Sequence, residues 1–240
     1  MELWTLALII IVVFIGAVFQ ASIGFGANVI AQPIVYLLEP SLVPGSILLA
    51  NALLGWLVML RDRQAVDQRP VTGAVVGLLA GTTIGIFVIR AMSPDSLAIL
   101  ISISVLVMVA LLAGNRVNIA PSSRSISLAA LAGGFAGTTA GIGGPPMALV
   151  YKDAEGPTVR GSLASYFILS SPVALAGLAI AGRFGWRELL LGLSLFPVTT
   201  AGFFASGPLL PLVDRGATKP AILAASALAA VILLVRTVAT

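Results

Sequence analysis

The sequence predicts an all-α polytopic membrane protein made of two pseudo-symmetric four-segment repeats, each opening with a glycine-broken or re-entrant helix, the two repeats inverted. Three observations predict it. Of the 240 residues, 59% are hydrophobic and 9% charged, whereas a soluble domain carries roughly a quarter charged residues. The apolar residues gather into eight runs, each long enough to cross a hydrocarbon core about 30 Å thick at about 1.5 Å per helical residue. Sliding one half of the chain by 117 residues lays its unusual features on those of the other.

The runs cover 4–38, 44–60, 71–89 and 96–112, then 126–151, 161–181, 189–212 and 220–235. One membrane domain over 1–240 accounts for them, with repeat A at 4–113, a linker at 114–125 and repeat B at 126–238. The connecting loops are too short to hold a domain of their own. Residues 4–19 have the length of a signal peptide, but Glu2 precedes them without a basic residue and no small-x-small site follows, so they read as mature structure.

The first run of each repeat is interrupted by glycine and small polar residues, at 20–28 and at 137–146. At the 117-residue offset Gly16 meets Gly133, Ser22 meets Thr139, Gly24 meets Gly141 and Gly26 meets Gly143. The same offset lays Thr82, Thr83 and Gly85 on Thr199, Thr200 and Gly202. Two coincidences at one offset argue for internal duplication. Small residues in membrane helices commonly serve only close packing, but Pro145-Pro146 removes two backbone donors and cannot continue a regular helix.

Backbone that loses its helical hydrogen bonds inside hydrocarbon costs several kcal/mol per group unless protein, water or ligand replaces them. The interruptions therefore mark a cavity. A half-helix starting after Gly26 or Gly144 would turn free N–H groups and a positive dipole end toward an anion. The binding candidates are Gln20, Ser22, Gly24, Gly26 and Asn28 at the first break, and Thr138, Thr139, Gly141, Gly143, Gly144 and Pro145 at the second. Further lining candidates are Asn51, Thr82, Thr83, Tyr166, Thr199 and Thr200, although threonines in helices most often bond the carbonyl four residues back. Arg90 and Arg160 flank apolar runs and are expected to snorkel to headgroups; Ser165, Ser170, Ser171 and Pro172 add polarity or bending.

The chain has no cysteine and no histidine, which excludes disulfides, thiolate chemistry, imidazole metal sites and a histidine relay. No Asp or Glu lies in the middle of a run, so a carboxylate relay at the midplane is not expected. No catalytic residue, cofactor or metal is assigned, and the chain reads as a non-enzyme. Its net charge of +4 is spread over short loops and serves topology rather than nucleic-acid binding. The partners expected are the lipid bilayer and a small anionic substrate, and a homo-oligomer is compatible with the sequence.

The Gly24-Phe25-Gly26 turn, Pro33 and the second copy Gly141-Ile142-Gly143-Gly144-Pro145-Pro146 resemble the sulfite exporter TauE/SafE family of bacterial inner-membrane permeases, over nearly the whole chain. The resemblance implies a multi-pass permease of small sulfur-containing anions such as sulfite, sulfoacetate or other organosulfonates, working by alternating access. In the family the first turn usually holds a longer glycine stretch, whereas here Phe25, Ala27 and Asn28 interrupt it. The alternatives are a transporter of another small solute with the same build, a membrane-embedded enzyme, or a structural subunit. If each broken run re-enters, Arg61, Arg63, Arg69, Arg116, Arg124, Lys152, Arg160, Arg215 and Lys219 share one face. That face is then cytoplasmic and both termini periplasmic.

Overall fold

The computed structural model describes residues 2–67, 71–113, 119–213 and 219–239. Every regular element in them is helical: α1 Leu3–Ile23, α2 Ala27–Leu38, α3 Gly45–Asp62, α4 Val71–Ala91, α5 Pro94–Ala113 and α6 Ser123–Ala140. Then follow α7 Gly144–Val150, α8 Gly156–Ile180, α9 Trp186–Ser194, α10 Phe196–Ser206, α11 Leu210–Val213 and α12 Lys219–Ala239, with 3₁₀ turns at Pro40–Leu42, Arg63–Ala65 and Gly207–Leu209. Among the described residues six spans are long and apolar enough to cross a membrane, the segment Trp186–Leu209 counting as one. Large apolar side chains cover the outside, among them Trp56, Val76, Phe87, Phe204 and Val238. Water would not tolerate so continuous a belt, and lipid does. Trp4 and Trp186, 58% and 72% exposed, sit at helix starts as interfacial anchors do.

Both breaks expected from the sequence are present. α1 stops where Gly24 turns left-handed at φ 91°, and α2 starts behind a second left-handed glycine, Gly26, at φ 111°. α6 stops at Gly141, φ 70°. A side chain would strain all three, because L-residues rarely adopt positive φ. Pro145 and Pro146 open α7 rather than interrupting a helix, as proline suits a first turn.

The path of the chain follows from a few contacts. Arg61 and Asp62 at the end of α3 meet the end of α1 and, through Arg160, the start of α8. At the opposite face Arg90 near the end of α4 donates to the Ile180 carbonyl at the end of α8, 2.8 Å away, and Arg183 donates to the Met92 carbonyl, also 2.8 Å away. The Tyr36 hydroxyl near the end of α2 donates to the Pro94 carbonyl at the start of α5, at 2.7 Å. α1 thus runs toward the Arg160 face and α2 doubles back toward the Arg183 face.

Two close seams hold the core. α4 and α6 run side by side, with Gly77 against Ser127, Gly81 against Leu131 and Gly85 against Thr138. The gap is too narrow for side chains: a Cβ on Gly134 would lie 2.5 Å from the Leu78 carbonyl oxygen. α10 packs on α1 in the same way, a Cβ on Gly202 falling 2.6 Å from Ala17 Cβ. With lipid outside there is no hydrophobic drive between helices, so such close backbone approach supplies the dispersion that holds them together.

Candidate functional site

The first break is built by α1 and α2. Its turn carries Gly26, and α2 follows with Asn28 and Val29. The first N–H groups of an α-helix have no partner within it. Asn28 closes the site from this side, Nδ2 donating to the Gly141 carbonyl at 2.6 Å. The tips of the two breaks are therefore hydrogen-bonded to each other, 113 residues apart in sequence.

Between them lies a small cavity of about 30 Å³, room for a water-sized group in this state. Gln20, Gly26, Asn28, Asn51, Gly143, Gly144 and Pro145 from the sequence candidates line it. Asn51, 4% exposed, donates through Nδ2 to Asn28 Oδ1 and, at 3.0 Å, to the Ile47 carbonyl. Gln20 donates through Nε2 to the Asn51 carbonyl at 3.4 Å. Among the described residues no Asp, Glu, Lys or Arg lines the cavity. Neutral amides, hydroxyls and backbone meet whatever enters.

The remaining candidates lie off the cavity wall. Ser22 and Thr139 bond the carbonyls four residues back, Val18 at 2.7 Å and Phe135 at 2.8 Å. Thr83 does the same to Leu79, and Thr199 bonds Phe196 and Ala50. Thr138 Oγ1, Thr82 Oγ1 and Thr200 Oγ1 are buried without a hydrogen-bond partner; Thr82 and Thr138 both pack on Gly177. Gly24 packs against the Arg160 backbone and Gly141 against the Gln32 amide, while the Tyr166 hydroxyl fits over Gly133. The second break offers fewer donors than expected, because α7 has proline at two of its first three positions and proline carries no N–H.

Sequence reasoning passed over Val29, Leu48, Ala52, Phe167 and Ala174, apolar lining that no pattern separates from core; Gly137 and Ile142 lie in the interruption at 137–146 and Gly133 pairs with Gly16 at the 117-residue offset, but none of the three was singled out as lining. Ser170 and Ser171 also line the cavity, and their adjacency on one apolar helix was the available signal.

Arg160 departs from expectation. Rather than reaching lipid headgroups it is 4% exposed, with NH1 donating to the Ser22 carbonyl at 3.1 Å and Nε to Asp62 Oδ2 at 3.3 Å. Arg61 pairs with the same Asp62 oxygen at 2.9 Å and donates to the Ala21 carbonyl. Two guanidiniums thus cap the carbonyl end of α1, where the helix dipole is negative. The resulting clasp of Arg61, Asp62 and Arg160 fastens α1, α3 and α8 at one face.

At the other face a wider hollow of about 290 Å³ is lined by Tyr36, Ser41, Pro44, Arg183 and Glu188, among others. Gln32 stands between this vestibule and the breaks. It is fully buried, donates through Nε2 to the Pro44 carbonyl at 3.4 Å and lies against Gly141.

Among the described residues no group of three or more His, Cys, Asp or Glu could hold a metal ion. No curated protein and no solved structure matches the chain. The family model described as Sulfite exporter TauE/SafE matches residues 8–233. An uncharged cavity between two glycine-broken helices, inside a bundle with a lipid-facing surface, is what a permease of such a family needs, and the chain belongs to the sulfite exporter TauE/SafE family, as a multi-pass transporter of the inner membrane rather than an enzyme.

Proposed function

We propose that the chain carries small sulfur-containing oxyanions, such as sulfite or an organosulfonate, across the inner membrane by alternating access, binding them in the cavity between the two breaks. The observation that carries this reading is the Asn28 to Gly141 bond over an uncharged cavity. It joins the two broken helices beside the first turn of α2, whose leading N–H groups have no partner within the helix. Oxyanion oxygens would accept from those groups and from the Ser170 and Ser171 hydroxyls.

Inverted repeats, A over 4–113 and B over 126–238, supply the alternation in this proposal. Matched hydrogen bonds support them: Ser22 to Val18 and Thr139 to Phe135 are the same bond 117 residues apart, as are Gly24 to Gln20 and Gly141 to Gly137. Two parallel seams, α4 with α6 and α10 with α1, pair the third crossing of each repeat with the broken helix of the other. In this reading the vestibule at Arg183 admits substrate past Gln32 while the clasp at Arg160 seals the far side, and the two faces exchange roles during a cycle.

Flux of labelled sulfite into proteoliposomes tests the proposal. Saturable exchange is expected for the native chain. Ala52→Phe, which overfills the cavity from α3, is expected to abolish it while the purified protein stays folded, at a stability cost of about 1–3 kcal/mol. No flux with any sulfur oxyanion, or undiminished flux in Ala52→Phe, would overturn it.

A further inference from the structure

The direction of the hydrogen bonds in the cavity wall is fixed by one atom that can only accept. The Gly141 carbonyl takes a hydrogen from Asn28 Nδ2, so Asn28 must turn Oδ1 toward Asn51. Asn51 must then answer with Nδ2, which also donates to the Ile47 carbonyl. Turning either amide over would set oxygen against oxygen. Asn51 Oδ1 is consequently left as an acceptor, and it is buried with no hydrogen-bond partner. A buried carbonyl oxygen in that state loses its hydration and gains nothing in return until a donor arrives.

The wall also lacks any cation to offset the charge of a ligand. The cost of moving an ion out of water grows with the square of its charge, so a dianion loses roughly four times what a monoanion loses in the same neutral cavity. Of the charged groups on surrounding helices, Arg61, Asp62 and Arg160 are bound to one another and to α1 carbonyls. Glu188 receives the Gly185 N–H, and Arg187 donates to Ser41 at the vestibule. The phenols Tyr36 and Tyr166 lie off the wall of this cavity.

We infer that the cavity takes the singly charged, protonated form of its oxyanion, the proton being donated to Asn51 Oδ1 while the remaining oxygens face the start of α2 and the serines of α8. The inference rests on the proposed function and narrows it: a sulfonate group stays ionised near neutral pH and has no proton to give, so sulfite rather than an organosulfonate is the substrate that fits. A proton consequently travels with each substrate, on the substrate itself, and the protein needs no titrating side chain in the cavity to couple the two.

Sulfite is a suitable probe because its second ionisation falls near neutral pH. With labelled sulfite and the native protein in liposomes, KM for total sulfite is expected to rise about tenfold for each pH unit above that ionisation, while KM reckoned on the hydrogensulfite ion stays constant. Methanesulfonate has the same charge but no O–H, and is expected to compete about tenfold less well than hydrogensulfite at acid pH. Replacing sodium by potassium is expected to change nothing.

A KM for total sulfite that ignores pH, equal competition by methanesulfonate, or flux that requires sodium overturns the inference and leaves sulfur-anion transport standing. Absence of any sulfur-oxyanion flux overturns the proposed function and this inference together.

Discussion

Asp62 shows how much one side chain can carry in a membrane protein. It is 11% exposed by side chain and holds both Arg61 and Arg160, which in turn hold two carbonyls at the end of α1. Neutralising it removes the carboxylate that both guanidiniums share, and breaking a buried ion pair from one side costs about 3 kcal/mol or more. Asp62→Asn is expected to lower the melting temperature of the detergent-solubilised protein by several degrees. Arg90→Ala, which removes an exposed side chain with a single carbonyl contact, is expected to stay within about 0.5 kcal/mol of native. Equal effects of the two would show that the clasp has no special weight. The acid and both bases were visible in the sequence as loop charges. Their partners were not, because a carbonyl freed by a helix end has no signature in the residue that will cap it.

At the scale of elements, what could be read beforehand was what breaks a helix. Gly24, Gly26, Gly141 and the proline pair each forbid a regular continuation for a local reason, and the structure breaks there. Gln20, Asn28 and Asn51 were equally legible, since an amide in an apolar run needs a partner. The threonine pairs were not, because a symmetric packing position and a symmetric binding position leave the same trace. Gly77, Gly81 and Gly134 belong to that packing, at the seam of α4 and α6. Gly81→Ala would set a methyl group into the Leu131 carbonyl, and forcing extra volume into a packed seam costs typically about 1–3 kcal/mol. Thermal unfolding should register that loss for Gly81→Ala. Gly137→Ala, whose added carbon would find its nearest neighbour at an ordinary 3.5 Å, should unfold close to native.

For the whole molecule, the apolar runs announced a polytopic helical bundle and suggested a duplication, and left the course of the broken runs open between crossing and re-entering. Contacts across the bundle bear on that choice, and side-specific labelling decides it. The chain has no cysteine, so a single introduced thiol is unambiguous. If both broken helices re-enter, Ser41→Cys beyond α2 and Asp153→Cys beyond α7 should react with a membrane-impermeant maleimide from opposite sides of the membrane. Labelling of both from one side would exclude the inverted arrangement.

Under the proposed duplication the two copies differ where the breaks are tied down. At the 117-residue offset Asn28 corresponds to Pro145, which has no hydrogen to give. One tip is latched by a neutral amide on Gly141, and the stem of the other by two cations sharing a carboxylate. Both latches are largely buried, and buried charge pairs are screened far less than exposed ones, so dissolved ions leave the amide latch and most of the ionic latch alone. In the proposed cycle, salt should therefore change the pace little, and removing the Asp62 carboxylate is what would free the stem of α1 while leaving the tips joined.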